Sequence, residues 1–365
     1  MISVFFMNPT TPLNAATLKT ALPSSPLTWI TSDKPALVLA PMEGVTDAVM
    51  RELLTERGGF TFCVSEFLRI SQNLLPPHTY LKHVPELKTA CKSASGVPIQ
   101  IQLLGGDEER LALSAVRAVE LGAGAIDLNF GCPAPTVNRH DGGASLLRYP
   151  RRIESIVAAV RKALPAHVPV SAKLRLGWES MSDVYDNAQA ATQGGASWLT
   201  IHARTKFQGY APPAYWKYIG EVRQQVGIPV VANGDIWTRE DYLKCRDETG
   251  CTHFMIGRGA LADPGLPQAI ARDLGLEVTE APTLYPQGSE PKDWEAILSR
   301  FSEVSAPSAR DTQYTARRIK QWIGFANMRK PQPWMVELKR TGSLEEIFSL
   351  LGDYESYQKA KLSKS

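Results

Sequence analysis

Eight short runs of apolar and β-branched residues recur along the chain, at 36–40, 61–66, 97–104, 125–129, 168–174, 197–202, 228–233 and 252–257. Many are apolar throughout rather than alternating, as strands buried on both faces should be. Stretches of helical periodicity separate them. In DEERLALSAVRAVELGAG (107–124), Leu111, Val116, Val119 and Leu121 are expected to supply much of the buried stripe, and Gly122 is a natural stop. PRRIESIVAAVRKAL (150–164) and DVYDNAQAATQGG (183–195) behave similarly. Eight strand–helix units over about 235 residues predict an α/β fold, a (β/α)8 TIM barrel, whose usual size is roughly 250 residues.

The pattern changes after the last unit. Residues 275–293 are rich in Pro, Gly and Ser and read as a linker. From Trp294 to the end the periodicity is helical, which predicts a small helical domain over 294–365 behind a barrel over 35–274. Residues 1–34, rich in Pro, Ser and Thr, read as a loose extension.

Composition narrows the class. The chain has 365 residues, 44% hydrophobic and 21% charged, an ordinary globular profile. No apolar run approaches the ~18 residues of a membrane span, and the start lacks the basic segment of a signal peptide. The five cysteines are scattered without a CxxC pair, which argues against a zinc site and fits a reducing cytoplasm. No metal is expected, and a monomer is. The net charge of +3 hides an asymmetry. Residues 300–365 hold 12 Lys/Arg against 7 Asp/Glu, about +5, which suits either a polyanionic partner or a solvated helical surface.

In a TIM barrel the active site is built at the C-terminal strand ends and the loops that follow. Those positions read Pro41-Met42-Glu43, Glu66, Gln102, Asn129 with Cys132, Lys173, His202, Asn233-Gly234-Asp235 and Gly257-Arg258. Nearly every strand ends on a polar group, and buried polar groups cost free energy unless satisfied. Their convergence points to a ligand site. Lys173 read by itself could be a structural ion-pair partner, and His202 a satisfied core histidine. Asn233-Gly234 is also a hairpin signal, but the eightfold register favours a loop at the barrel mouth. The loops after the seventh and eighth strands are the customary phosphate site of such barrels, so 233–235 and 257–258 suggest a ligand with a phosphate tail.

The motifs APMEGVTD (40–47), QLLGGD (102–107), DLNFGCP (127–133), KLRLGW (173–178), IHART (201–205), ANGDIW (232–237) and MIGRGAL (255–261) together resemble the tRNA-dihydrouridine synthases, in order and spacing, from about residue 36 to 342. RTKFQGY (204–210) and RRIKQW (317–322) are most similar to the subgroup that reduces the D-loop uridine at tRNA position 16. The resemblance implies FMN as cofactor, NADPH as reductant and tRNA as substrate. It makes Cys132 the proton donor to uracil C5. A thiol suits that role, since it is mostly protonated at neutral pH yet can release its proton. Lys173 would lie beside the flavin N1/O2 edge, Gln102 would bond the ring edge, and 41–43 would line its face. Asn129 and His202 would hold the uracil and flavin from the sides. Arg69, Tyr210, Arg318, Lys320 and Arg340 would contact tRNA. On an ideal helix Arg318 and Lys320 stand ~200° apart and cannot share a face, whereas Arg317 and Lys320 can. The family usually has Ser, then often a basic residue, after GCP; Ala134-Pro135 here makes a stiffer, less basic loop. Two alternatives remain at this stage. One is an FMN barrel oxidoreductase acting on a free small molecule such as dihydroorotate. The other is a non-catalytic tRNA-binding barrel.

Overall fold

A computed structural model describes residues 29–31, 34–278, 290–306 and 313–362. Most of the predicted extension (1–34) and of the predicted linker (275–293) lies outside the described residues.

Nine strands form the sheet: β1 (Ala36–Leu39), β2 (Phe62–Val64), β3 (Leu68–Arg69), β4 (Ile99–Leu104), β5 (Ile126–Asn129), β6 (Val170–Arg175), β7 (Trp198–His202), β8 (Val230–Asn233) and β9 (His253–Ile256). Each of the eight apolar runs contains one barrel strand. Every pairing is parallel, and β1–β9 together with β2–β4 closes the barrel. The ninth strand, β3, was not expected. Cys63 pairs with Ile99 but Leu68 with Leu103, so the chain gains one residue between β2 and β3. That bulge carries Glu66.

The barrel is filled in two kinds of layer. Val38, Phe62, Val64, Trp198, Val231 and Met255 form an apolar cluster inside it, with Met255 at the cavity floor. Trp29 stacks edge-on against Phe62 at 5.3 Å, so this one residue of the stretch read as loose extension is buried. Other inward positions are polar and bonded to one another: Gln100, Gln102, Asp127, Ser171, Lys173, His202 and Asn233. Strand side chains alternate in direction, so a run that looks uniformly greasy can aim every second residue at this layer.

Outside the barrel, helices cover the sheet. On the Glu108–Glu120 helix the buried stripe is Leu111, Ser114, Ala115 and Ala118, while Val116, Val119 and Leu121 are only half-buried. The expected stripe is therefore rotated toward the small residues, which let the Pro150–Ala163 helix approach closely. Gly122, at φ 107°, ends the helix as expected.

Among the described residues five helices follow: Pro291–Ser305, Tyr314–Arg329, Pro333–Leu338, Leu344–Gly352 and Tyr354–Leu362. Trp294, Phe301 and Trp322 pack edge-to-face in their core. They dock on the barrel through Trp322 Nε1, which donates to Leu261 O at 2.8 Å, and through the ion pair Arg300–Glu56 at 2.7 Å. Among the described residues no helix is long and apolar enough to cross a membrane.

Candidate active site at the barrel mouth

A cavity of about 690 Å3 opens at the C-terminal ends of the strands, within the ~300–1,000 Å3 range of ligand sites. Pro41, Met42, Glu43, Gln102, Asn129, Cys132, Lys173, His202, Tyr210, Asn233, Gly234, Asp235, Gly257 and Arg258 all line it. Strand register explains the convergence: Asn129 pairs with Lys173, and His202 with Asn233.

Two hydrogen-bond networks shape the walls. The first starts at buried Asp127. Gln102 Nε2 donates to Asp127 Oδ2 at 2.7 Å, and Ser171 Oγ donates to Asp127 Oδ1. Asn129 Nδ2 donates to Gln102 Oε1 at 2.8 Å. Asn129 Oδ1 then accepts the backbone N–H groups of Gly131 (2.9 Å) and Cys132 (3.0 Å). The loop bearing the thiol is thus tied to the barrel interior. Arg175 Nε adds a bond to Gly131 O at 2.7 Å. Burial pushes the Cys132 thiol above its ordinary pKa, against the backbone N–H of Ala134 and the charge of Arg175. The thiol is therefore protonated at neutral pH. Cys63, Cys91, Cys245 and Cys251 are all buried, leaving Cys132 as the half-exposed cysteine among the described residues.

The second network centres on Asn233. Its Nδ2 donates to Met255 O at 2.8 Å, which turns Oδ1 toward Lys173 Nζ (3.2 Å) and His202 Nδ1 (3.0 Å). Since Oδ1 can only accept, the His202 proton sits on Nδ1, and Nε2 is left as an acceptor. Nε2 is buried and has no partner among the described residues. Burial, with Arg175 and Lys173 nearby, holds His202 well below the usual histidine range, so it is neutral. Burial also lowers Lys173, helped by Arg175 and opposed by Asp127.

Beyond β8, Gly234 (φ 121°) and Asp235 (φ 51°) turn the chain sharply outward. The Asp235 carboxylate is shared by Arg204, by Arg258 at 3.0 Å and by Trp237 Nε1 at 3.2 Å. Its oxygens are thus occupied by cations, and two guanidinium groups face one carboxylate. A Cβ on Gly257 would meet Met42 Sδ at 3.1 Å and Ala40 Cβ at 3.2 Å, so glycine keeps that wall open.

The loop from Pro41 to Asp47 forms the remaining wall and is held from both sides. Gly44 N donates to Glu66 on the bulge. From the C-terminal helices, Arg318 donates to Gly44 O (2.6 Å) and Val45 O (2.7 Å) and pairs with Asp47 at 3.0 Å. Gln321 Nε2 donates to Gly44 O at 3.0 Å. This revises the expectation for Arg318: its side chain is buried and committed to the loop rather than offered to phosphate. Lys320, half-buried on another face, donates to Thr341 O. Arg340 is exposed. Arg69 donates to Thr136 O at 3.1 Å and does not line the cavity.

Asp127, Arg175, Phe325 and Met328 are among the residues of the site absent from the expected set. Asp127 and Arg175 each lie two residues from an expected one, Asn129 and Lys173, and strand alternation would have put them on the same inward face. Phe325 and Met328 reach the cavity from the Tyr314–Arg329 helix, a long-range contact with no local signal.

Comparison with known proteins agrees with this geometry. The sequence profile of the dihydrouridine synthase family matches residues 38–354. The chain is 51% identical over 298 residues to the tRNA-dihydrouridine(16) synthase of Cupriavidus necator, covering 81% of this chain and 89% of that one. It is 45% identical over 292 residues to the protein of the same name from Neisseria meningitidis serogroup A, covering 80% and 86%. With that of Pseudomonas syringae pv. tomato it shares 42% over 319 residues, covering 87% and 98%. Among solved structures, a 2-naphthoyl-CoA reductase complex aligns with a TM-score of 0.51 at 12% identity, over 65% of this chain and 50% of that one, a likeness of fold alone.

Proposed function

The chain belongs to the dihydrouridine synthase family, and we propose that it reduces the D-loop uridine at tRNA position 16 to 5,6-dihydrouridine in the cytoplasm, with FMN as cofactor and NADPH as reductant. The family is a flavin-dependent family of tRNA uridine reductases. The observation that carries the reading is the half-exposed Cys132, held on a pinned loop at a cavity whose other walls are Lys173, His202 and the Gly234-Asp235 turn.

The residues present fit FMN. His202 Nε2 is a buried acceptor in need of a donor, which a ring N–H or a ribityl hydroxyl would supply. Lys173 offers positive charge at the cavity wall, and charge near the ring is one of a protein's few levers on flavin electronics. Arg258, the Gly234-Asp235 turn and the Gly257 backbone suit a phosphate tail, and the 41–43 segment with Met42 suits a planar ring. When bound, the flavin supplies the hydride to uracil C6.

The other steps fall to the chain. Cys132 holds the proton destined for C5, and burial keeps it on sulfur until it is needed. Asp127, Gln102 and Asn129 act in series to hold that thiol in place. Asn129, Arg175 and Tyr210 are positioned to steady a flipped base, which must leave the stack to be reached. Tyr210 is exposed at the rim, with Arg175 5.1 Å and Arg258 5.0 Å from its ring centre. Arg69, Lys320 and Arg340 are the remaining candidates for phosphate contact, with the protein acting as a monomer.

The test is direct. Purified protein should be yellow and release FMN, and with NADPH it should form dihydrouridine in unmodified tRNA. Recovery of FAD or no flavin, or reduction of a free small molecule instead of tRNA, would overturn the reading.

A further inference from the structure

Of the seven large apolar side chains exposed among the described residues, Tyr210 and Met328 line the cavity, and Phe207 stands on the same turn as Tyr210. Phe207 is 62% exposed, which leaves most of an apolar ring in water. It is not on a slack loop. Lys206 N donates to Gly177 O at 2.9 Å and Phe207 N to Trp178 O at 3.2 Å, so the loop after β7 is laced to the loop after β6. Gln208 Oε1 accepts from Thr205 N at 2.8 Å, and Arg175 Nη1 donates to Thr205 O and Gly209 O. The turn is rigid, and it presents a bare ring.

Cations lie over this ring and over its aromatic neighbours. Lys206 Nζ lies 4.4 Å from the ring centres of both Phe207 and Trp178, and the Arg148 guanidinium lies 4.7 Å from Trp178 and 5.4 Å from Tyr149. Trp178 and Phe207 meet edge-to-face at 5.8 Å. Interleaved aromatic faces and cations are the composition of surfaces that bind unpaired nucleotides, the rings taking bases and the cations taking phosphates. An apolar protein partner would not call for Lys206 and Arg148 over the rings. The surface is also continuous with the cavity, since Tyr210 in the same turn lines it.

We propose that Phe207, backed by Trp178 and flanked by Lys206 and Arg148, is a stacking platform for an unpaired tRNA nucleotide adjacent to the reduced uridine. This rests on the tRNA-reductase reading and extends it to a second nucleotide. The platform would hold open the D-loop segment from which the reacting base has been extruded. It acts on binding and register, not on the proton or hydride steps.

The experiment compares flavin-loaded wild type with Phe207→Ala, Phe207→Leu and Phe207→Tyr, using unmodified tRNA and tRNA made abasic at each nucleotide flanking the target. Phe207→Ala and Phe207→Leu should weaken tRNA binding about tenfold, while Phe207→Tyr binds as wild type does. Turnover at saturating tRNA should stay within twofold, with flavin content unchanged. One abasic position should cost the wild type about tenfold and cost Phe207→Ala little more, because the partner of that base is already gone. A wild type that makes dihydrouridine while Phe207→Ala binds tRNA unchanged, or abasic penalties that add in full, overturns the platform alone. A wild type that makes none overturns the reaction and the platform with it.

Discussion

Two groups of expected site residues met different fates, one at the barrel mouth and one on the C-terminal helices. At the mouth, fourteen expected residues line one cavity. On the helices, three expected cations part ways: Arg318 is buried on the 44–47 loop, Lys320 is tied to Thr341 O, and Arg340 is exposed. A strand end in a closed barrel has a fixed address, because its register and alternation determine where it points. A helix position has no such address until the neighbour it packs against is known. Arg175 and Arg318 make the lesson concrete. Both are buried guanidinium groups that hold functional loops through backbone carbonyls, one from within the barrel and one from outside it.

The largest effect should come from Cys132→Ala. Loss of a general acid typically costs 10²–10⁴-fold, so dihydrouridine formation should fall by that factor while NADPH oxidation by the bound flavin and tRNA binding persist. Near-normal dihydrouridine formation would remove the thiol from the mechanism.

Arg318→Ala comes next and tests the boundary between the two regions. It removes a donor from Val45 O, from Gly44 O, which keeps Gln321, and from Asp47, which keeps Met50 N and Tyr314, at a cost of about 2–3 kcal/mol, as expected for charge-assisted bonds. Thermal stability and flavin retention should both fall, and Arg318→Lys should restore them only in part. A loss confined to tRNA binding, with stability intact, would return Arg318 to the phosphate contacts.

Arg340→Ala should be milder. It should weaken tRNA binding several-fold and flatten its salt dependence by a slope of up to about one, leaving flavin content and NADPH oxidation alone. An unchanged slope would make Arg340 a solvated surface charge.

The smallest effect is one of pH. Burial raises the Cys132 thiol, so its protonated form extends to higher pH than usual and is lost only as pH rises through the raised value. Dihydrouridine formation in single turnover should therefore stay level from pH 6 to beyond the ordinary thiol value of about 8.5, then decline. A decline already under way near pH 7 would contradict a protonated donor.

The barrel was legible because strands buried on both faces read as apolar runs, and eight of them at regular spacing leave few other folds. β3 was not legible: two residues after a bulge carry no period. The stripe on the Glu108–Glu120 helix was misplaced because Ser114, Ala115 and Ala118 pack by smallness, which hydropathy does not register. Asp127 and Arg175 share an inward face with Asn129 and Lys173 by alternation, but Asp127 stands inside β5 and Arg175 lies past the apolar run 168–174, so neither is at a strand-end position of the expected kind. Phe325 and Met328 depend on how the helices dock, which no local pattern encodes.

The central claim is that this cavity reduces one tRNA uridine, at position 16. Unmodified tRNA incubated with the flavin-loaded protein and NADPH, then mapped for dihydrouridine at nucleotide resolution, tests it most directly. The account predicts dihydrouridine at position 16 and at no other D-loop uridine, with the signal lost in Cys132→Ala. Dihydrouridine at position 20 instead, or none at any position, would contradict it.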